Sequence, residues 1–92
     1  LALRGELDVT KVSYGALPYL LEDYVLLRSG GALGRGCGPL VVTRPELAGA
    51  AVGGLRIAIP GRFTTAHLLL RLYAAATTRV VDMTYDRIMP AV

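Results

Sequence analysis

The feature that most restricts the fold of this chain is a strand pattern, a helix pattern and a second strand pattern in direct succession. Residues 55–60 (LRIAIP) carry apolar side chains on both faces, and residues 80–85 (VVDMTY) form the second apolar run. Between them, TTAHLLLRLYAAA repeats leucine, tyrosine and alanine at helical spacing, with Thr64 or Thr65 as the capping residue. Strands joined by a helix lie parallel in one sheet, because a hairpin turn connects only antiparallel strands. The sequence therefore predicts an α/β fold.

The amino-terminal half contains similar but less regular patterns. The predicted strands there are residues 7–12 (LDVTKV), 24–28 (YVLLR) and 40–43 (LVVT). A helix is expected to begin near Gly15 and to carry Pro18 in its first turn, where a missing N–H is tolerated. We also expect one helical turn at residues 45–47 and a further helix that begins at Asp86.

A glycine-rich connection, SGGALGRGCGPL, links the second and third of these predicted strands. Gly34, Gly36 and Gly38 have a spacing that invites comparison with phosphate-binding loops. However, no Lys-Ser or Lys-Thr pair follows, and the next predicted element is a strand, so the Walker and dinucleotide-binding interpretations are both excluded. The glycines either let the backbone turn and approach a neighbour closely, or form a lid or hinge.

Composition excludes several classes of protein. Of 92 residues, 53% are hydrophobic and 18% are charged, which is too much apolar surface for a disordered chain. Every apolar stretch is interrupted before it reaches the ~18–20 residues of a membrane-spanning helix, and we find no secretory leader. The net charge of +3 comes largely from singly scattered arginines, which argues against a nucleic-acid partner. Cys37 is the one cysteine, which excludes an internal disulfide and favours a cytoplasmic location.

The two ends of the sequence suggest a piece of a longer protein. The chain begins at Leu1 without a methionine, and it stops within the helix that Asp86 is expected to open. We therefore expect truncation at both ends. The missing strands of the sheet then come from further sequence or from a second copy in a homo-oligomer.

Candidate binding residues follow two of the predicted strands. In an open α/β sheet, ligands bind at the carboxyl ends of strands, where helix N-termini present unpaired N–H groups. Lys11 and Ser13 lie at one such corner, and Thr64 and Thr65 of the GRFTT segment lie at the other. Together they predict a site for a small carboxylate, and we expect the two groups to face each other across one crevice. The alternative for each alone is structural, with Thr64 capping its own helix and Lys11 solvated.

Other residues with reactive side chains are given structural interpretations. His67 has no neighbouring carboxylate or nucleophile in the sequence, so we interpret it as a helix histidine that has a local hydrogen bond or faces the seam between domains. Cys37 has no nearby group that would lower the pKa of its thiol, which argues against a nucleophilic role. Asp82 belongs to a predicted strand and Asp86 to a helix cap. The sequence offers no Cys/His framework for a metal.

Four stretches resemble a known enzyme family across essentially the whole chain: TKVSYGALPYL, YVLLRSGGALGRGCGPLVV, LRIAIPGRFTTAHLLLRLYA and TYDRIMPAV. In this order and spacing they resemble the 1,4-dihydroxy-6-naphthoate synthases of the futalosine route to menaquinone. The SGGALGRGCGPLVV and PGRFTTA segments are the most specific part of the resemblance.

The resemblance implies a two-lobed fold like the type 2 periplasmic solute-binding proteins, with substrate held in the cleft between the lobes. Residues 1–43, with the glycine-rich connection, would belong to the first lobe and residues 44–92 to the second. It also implies a cytoplasmic lyase that converts cyclic dehypoxanthinyl futalosine to 1,4-dihydroxy-6-naphthoate without a metal or an organic cofactor. The family's substrate-binding segments match Lys11, Val12 and Ser13, and also Thr64 and Thr65.

Two parts of the family's pattern have no counterpart in this sequence. One is the amino-terminal Pro-Cys-Pro-Asn-Asp segment. The other is the histidine proposed as proton acceptor, which is expected beyond Val92 and which His67 does not match. We therefore expect the 92 residues to be inactive on their own. The alternative function is a non-catalytic module that binds a small carboxylate solute.

Overall fold

The chain is seen in a computed structural model that describes residues 2–74 and 79–92. Its regular elements in chain order are 3-10 helices at Ala2–Arg4, Tyr14–Tyr19 and Pro45–Leu47, strand β1 (Arg56–Ile59), helix α1 (Thr65–Ala74), strand β2 (Arg79–Asp82) and helix α2 (Tyr85–Ala91). Strands and helices thus alternate in the carboxyl-terminal half. The predicted α/β class is confirmed, as is the helical turn at residues 45–47.

Strands β1 and β2 pair in parallel in a two-stranded sheet. Arg56 lies opposite Arg79 and Ile59 lies opposite Asp82. Beyond the end of β2, the Met83 N–H donates to the Ile59 carbonyl at 2.9 Å, which extends the pairing by one bond. The apolar runs at residues 55–60 and 80–85 therefore form strands, each a little shorter than predicted.

Helix α1 begins where the sequence predicts, and Thr64 is its N-cap. The Thr64 hydroxyl accepts the His67 N–H at 3.2 Å and donates to the Gly61 carbonyl at 2.7 Å. Gly61 has a φ of 141°, a conformation that favours glycine and lets the chain turn sharply from β1 into the helix. The predicted helix continued to residue 76, and residues 75 and 76 lie outside the described part of the chain.

The three predicted strands of the amino-terminal half are wrong. Residues 7–12, 24–28 and 40–43 are irregular, although all of them carry apolar or β-branched residues. A parallel strand exists only where a neighbouring backbone accepts and donates its hydrogen bonds, and among the described residues β1 and β2 use only each other.

Two predicted helices differ in detail from the observed ones. The predicted α-helix near Gly15 is a 3-10 helix of six residues, Tyr14–Tyr19, with Pro18 inside it rather than in the first turn of a longer helix. Pro18 has no N–H to donate and restricts the residue before it, so a regular α-helix is disfavoured here. Helix α2 begins at Tyr85 with Thr84 as N-cap, so Asp86 lies in the first turn and is not the cap.

Three apolar side chains of the described residues are buried: Leu20, which follows the 3-10 helix Tyr14–Tyr19, Ile59 in β1 and Leu70 in α1. The 3-10 helix Tyr14–Tyr19 packs against α1, whereas β1 packs against β2 and α2. Helix α1 is apolar nearly all round, yet its residues Leu72 and Tyr73 are 75% and 77% exposed. The radius of gyration of 15.3 Å exceeds the ~12 Å expected of an independent domain of this length. A large apolar surface is therefore uncovered in the described chain.

Within the described residues, no helix combines the length and the apolar character needed to cross a membrane.

Candidate functional site

The candidate site is the junction between the 3-10 helix Tyr14–Tyr19 and the start of α1. Ser13 immediately precedes the first element and Thr65 is the first residue of the second. The Thr65 N–H donates to the Ser13 Oγ at 2.7 Å, and the two hydroxyl oxygens lie 2.7 Å apart. The two predicted corners therefore touch through Ser13 and Thr65, which 52 residues separate in sequence, and do not face each other across a crevice as expected.

The hydrogen bonds of these hydroxyls leave one proton unused. The Ser13 Oγ accepts the Thr65 N–H, and the Thr65 Oγ1 accepts the Gly15 N–H at 3.2 Å. Only one hydroxyl can donate to the other, and the bonds of the described residues give the remaining proton no acceptor. The pair therefore retains one hydroxyl proton that it can donate, and carboxylate or carbonyl oxygens are suitable acceptors for such a proton.

Gly15 makes the close approach possible. A Cβ at this position would lie 2.6 Å from the carbonyl carbon and oxygen of Thr64 and 2.8 Å from the Thr65 nitrogen. Real Cβ atoms do not come so near to a backbone, so any side chain would push the two segments apart. The sequence interpretation missed this role. The available signal was a glycine two residues after Ser13, at the start of a helix that has no other need for one.

Thr64 and Thr65 occupy different positions relative to the cavity. Thr65 lines a cavity of about 1250 Å³ together with Lys11, Val12 and Ser13, whereas Thr64 is not among its lining residues. The Thr64 hydroxyl is held within its own helix turn by Gly61 and His67. Four of the five predicted site residues therefore share one cavity, and the fifth supports the turn that carries Thr65.

Two cations line this cavity, Lys11 and Arg4, and Arg4 is paired with Glu6. The Lys11 side chain is exposed, and it forms no ion pair with any residue in the ranges 2–74 and 79–92. Asp8 and Asp23 also line the cavity. An unpaired ammonium group and a hydroxyl pair thus lie on one cavity wall, two features of a site for an anionic ligand.

Three contacts hold the loop before α1 against the rest of the molecule. The rings of Tyr19 and Phe63 meet edge to face, with centroids 5.1 Å apart. The Arg62 Nε donates to the Asp82 carboxylate at 3.0 Å. His67 Nδ1 lies 2.8 Å from the Arg62 carbonyl, and because a carbonyl only accepts, this nitrogen carries the proton. The local hydrogen bond predicted for His67 is confirmed.

The other reactive residues of the sequence do not join the site. Cys37 is exposed in the glycine-rich segment. Asp82 is the partner of Arg62, and Asp86 lies in helix α2. Among the residues described, no group of three or more His, Cys, Asp or Glu side chains is arranged to hold a metal ion.

Comparison with known proteins assigns the chain to a family. A family described as "Menaquinone biosynthesis" matches residues 1–92. The chain belongs to this menaquinone biosynthesis family. Among its curated relatives, 1,4-dihydroxy-6-naphtoate synthase of Streptomyces coelicolor is 55% identical over 97 residues, covering 100% of this chain and 34% of the relative. The enzyme of the same name from Thermus thermophilus is 56% identical over 91 residues, covering 99% of this chain and 32% of that protein.

The chain spans about a third of the length of these two relatives. The resemblance noted in the sequence is confirmed, and the family membership covers the site residues from Lys11 to Thr65. No solved structure gives a significant match.

Proposed function

We propose that these residues belong to a carbon–carbon lyase that converts cyclic dehypoxanthinyl futalosine to 1,4-dihydroxy-6-naphthoate in menaquinone biosynthesis. The family and the two named relatives support the pathway. The observation that carries the proposal is the Ser13–Thr65 hydroxyl pair on the wall of the cavity, with one proton left to donate. The substrate class that it suits is a small organic acid.

Each predicted site residue has a proposed role that its position supports. The Lys11 ammonium offsets the charge of the substrate carboxylate, because it lines the cavity and has no ion pair among the described residues. Ser13 and Thr65 donate a hydrogen bond to a substrate oxygen, and Val12 forms the wall between Lys11 and Ser13. Thr64 acts indirectly: it caps α1 and so fixes the orientation of Thr65.

The whole protein is proposed to have two lobes, like the type 2 periplasmic solute-binding proteins. Residues 1–43 would belong to the first lobe and residues 44–92 to the second, with the cavity in the cleft between them. Ser13 and Gly15 bond directly to Thr65, which is the one residue after position 43 among the cavity's described lining residues. We propose a cytoplasmic enzyme that needs neither metal nor organic cofactor.

The proton acceptor of the reaction is proposed to come from another part of the protein. His67 is buried, and its Nδ1 donates to the Arg62 carbonyl, so this histidine is committed to the loop before α1. It also does not line the cavity. Here Ser13, Thr65 and Lys11 bind and orient the substrate while a base outside these residues removes its proton.

The test supplies the full-length natural protein that contains these residues with cyclic dehypoxanthinyl futalosine and measures formation of the dihydroxynaphthoate. Replacing Ser13 by Ala is expected to lower kcat/KM by roughly 10- to 100-fold, since a hydrogen bond to a charged group contributes ~1.5–3 kcal/mol. Thr43→Ala is the matched control, because it removes an exposed hydroxyl away from the cavity. An unchanged kcat/KM in Ser13→Ala would contradict the binding role of the pair.

The same assay separates the enzyme from a carboxylate-binding module. A binding module would take up 1,4-dihydroxy-6-naphthoate in equilibrium dialysis and release no product from the cyclic precursor. If the full-length natural protein gives that result, the lyase function is rejected and the hydroxyl pair remains as a carboxylate-recognition site.

A further inference from the structure

The geometry points to Tyr14 as a specificity-determining residue, whose ring forms the wall against which a flat aromatic acid lies. This inference rests on the proposed function, because it takes the acid to be 1,4-dihydroxy-6-naphthoate or its cyclic precursor. It goes further by assigning to one side chain the preference for a planar ring over other carboxylic acids.

Tyr14 follows Ser13 directly and is the first residue of the 3-10 helix, and both residues line the cavity. The backbone at this point is fixed by the bond from the Gly15 N–H to the Thr65 Oγ1. Tyr14 is therefore an aromatic side chain on the same cavity as the hydroxyl pair.

The Tyr14 side chain makes no hydrogen bond that holds the described residues together. Its side chain is 62% exposed, and its hydroxyl has no hydrogen-bond partner among the described residues. Tyr24 provides the contrast within the same cavity, because its hydroxyl donates to the Leu7 carbonyl at 3.2 Å. An exposed aromatic ring on the wall of a cavity is available for stacking on a ligand, whereas Tyr24 ties two chain segments together.

The rest of the cavity lining includes glycines and leucines. Gly30 and Gly31 belong to the lining, and a Cβ on Gly31 would lie 4.0 Å from the Tyr14 Oη. Backbone without side chains thus lies near the outer end of the tyrosine. The leucines at positions 17, 26 and 27 add an apolar lining to the cavity.

The test compares the binding of two acids to the full-length natural protein that contains these residues. The probes are 1,4-dihydroxy-6-naphthoate and cyclohexanecarboxylate, which share the carboxylate and differ in ring flatness. Tyr14→Ala is expected to raise the Kd of the naphthoate about 3- to 10-fold, the effect of losing one aromatic contact, while the Kd of cyclohexanecarboxylate changes less than about twofold. Tyr14→Phe is expected to bind both acids like the parent, and so is the control Tyr24→Phe.

A second variant acts beside the outer end of the Tyr14 side chain. Gly31→Leu is expected to weaken naphthoate binding selectively, since its side chain would enter the space beside the Tyr14 Oη. Gly31 has no left-handed φ, so this substitution imposes no backbone strain. Circular dichroism melting of each variant checks that the fold is retained.

The outcomes separate this inference from the proposed function. If Ser13→Ala weakens both acids but Tyr14→Ala weakens neither, or weakens both equally, the role of Tyr14 is overturned and the carboxylate site stands. If Ser13→Ala changes neither affinity, the carboxylate site itself is rejected, and the role of Tyr14 fails with it. A selective loss of the naphthoate in Tyr14→Ala and in Gly31→Leu supports the inference.

Discussion

Residues 55–92 and residues 2–54 differ in how far they form regular structure, although both carry strand and helix patterns. The first of these regions folds into β1, α1, β2 and α2, and its two strands supply each other's hydrogen bonds. The other has 3-10 helices and irregular backbone throughout, including all three of its predicted strands. The difference teaches that an apolar pattern becomes a strand only where a second strand is within reach.

The two regions are connected mainly at the Ser13–Thr65 junction. The amino-terminal region contributes Ser13, Gly15 and Tyr19, and the carboxyl-terminal region contributes Phe63 and Thr65. These contacts keep the cavity wall in place even though the surrounding backbone of residues 24–44 has no regular structure. Substitutions at this junction therefore test whether contacts with residues 55–92, the ordered region, keep residues 2–54 in place.

The largest effect is expected from Gly15→Ala. The added methyl group would lie 2.6 Å from the Thr64 backbone, so the two regions must move apart. We expect a loss of roughly 3 kcal/mol in the free energy of unfolding, the upper end of the usual cost of overpacking. Urea denaturation measures the loss. Amide hydrogen exchange should then show lower protection at residues 16 and 20, with protection in β1 and β2 retained.

Gly38→Ala is the matched control for this substitution. Gly38 also lies outside the left-handed region, and a Cβ there meets no atom within 4 Å. Its stability should change by less than about 0.5 kcal/mol. Equal effects at the two glycines would show that the close approach at Gly15 does not connect the regions.

Much of the ordered region was predictable, because its structure depends on local signals. The strand at residues 55–60, the cap at Thr64 and the helix that follows it all depend on residues within a few positions of one another. In the candidate site, the sequence indicated Ser13 and Thr65 through their places at strand-to-helix corners. It did not indicate that their hydroxyls touch, because that contact depends on Gly15 and on backbone 50 residues away.

The failed predictions have the opposite character. Residues 7–12 and 24–28 have strand propensity, but pairing partners are set by the whole sheet and not by the segment itself. For the same reason the burial of α1 was not predictable. Its composition indicates a buried helix, while Leu72 and Tyr73 are exposed in the described chain. The local sequence pattern predicts where strands and helices can form. Contacts with residues distant in sequence decide whether a strand finds a partner and whether a helix is buried.

An intermediate effect is expected from Thr64→Ala, which acts within the ordered region alone. The substitution removes the acceptor of the His67 N–H at the start of α1 and should cost about 1 kcal/mol in the free energy of unfolding. Thr84→Ala is the control, because Thr84 is the N-cap of α2 but makes no side-chain capping bond. Thermal unfolding of both variants measures the difference, and equal melting temperatures would refute the capping role of Thr64.

The smallest effect is expected from the ion pair between Arg62 and Asp82, which links the loop before α1 to the end of β2. Their side chains are 63% and 49% exposed, so water and salt screen the pair strongly. A double-mutant cycle with Arg62→Met and Asp82→Asn should give a coupling of about 0.2–1 kcal/mol at low salt, falling toward zero near ~1 M salt. Arg35→Met, which removes an exposed arginine without an ion pair among the described residues, is the control. If the coupling energy does not change with salt, the charges of Arg62 and Asp82 do not hold the loop. Packing of the Arg62 side chain would then be the contact that holds it.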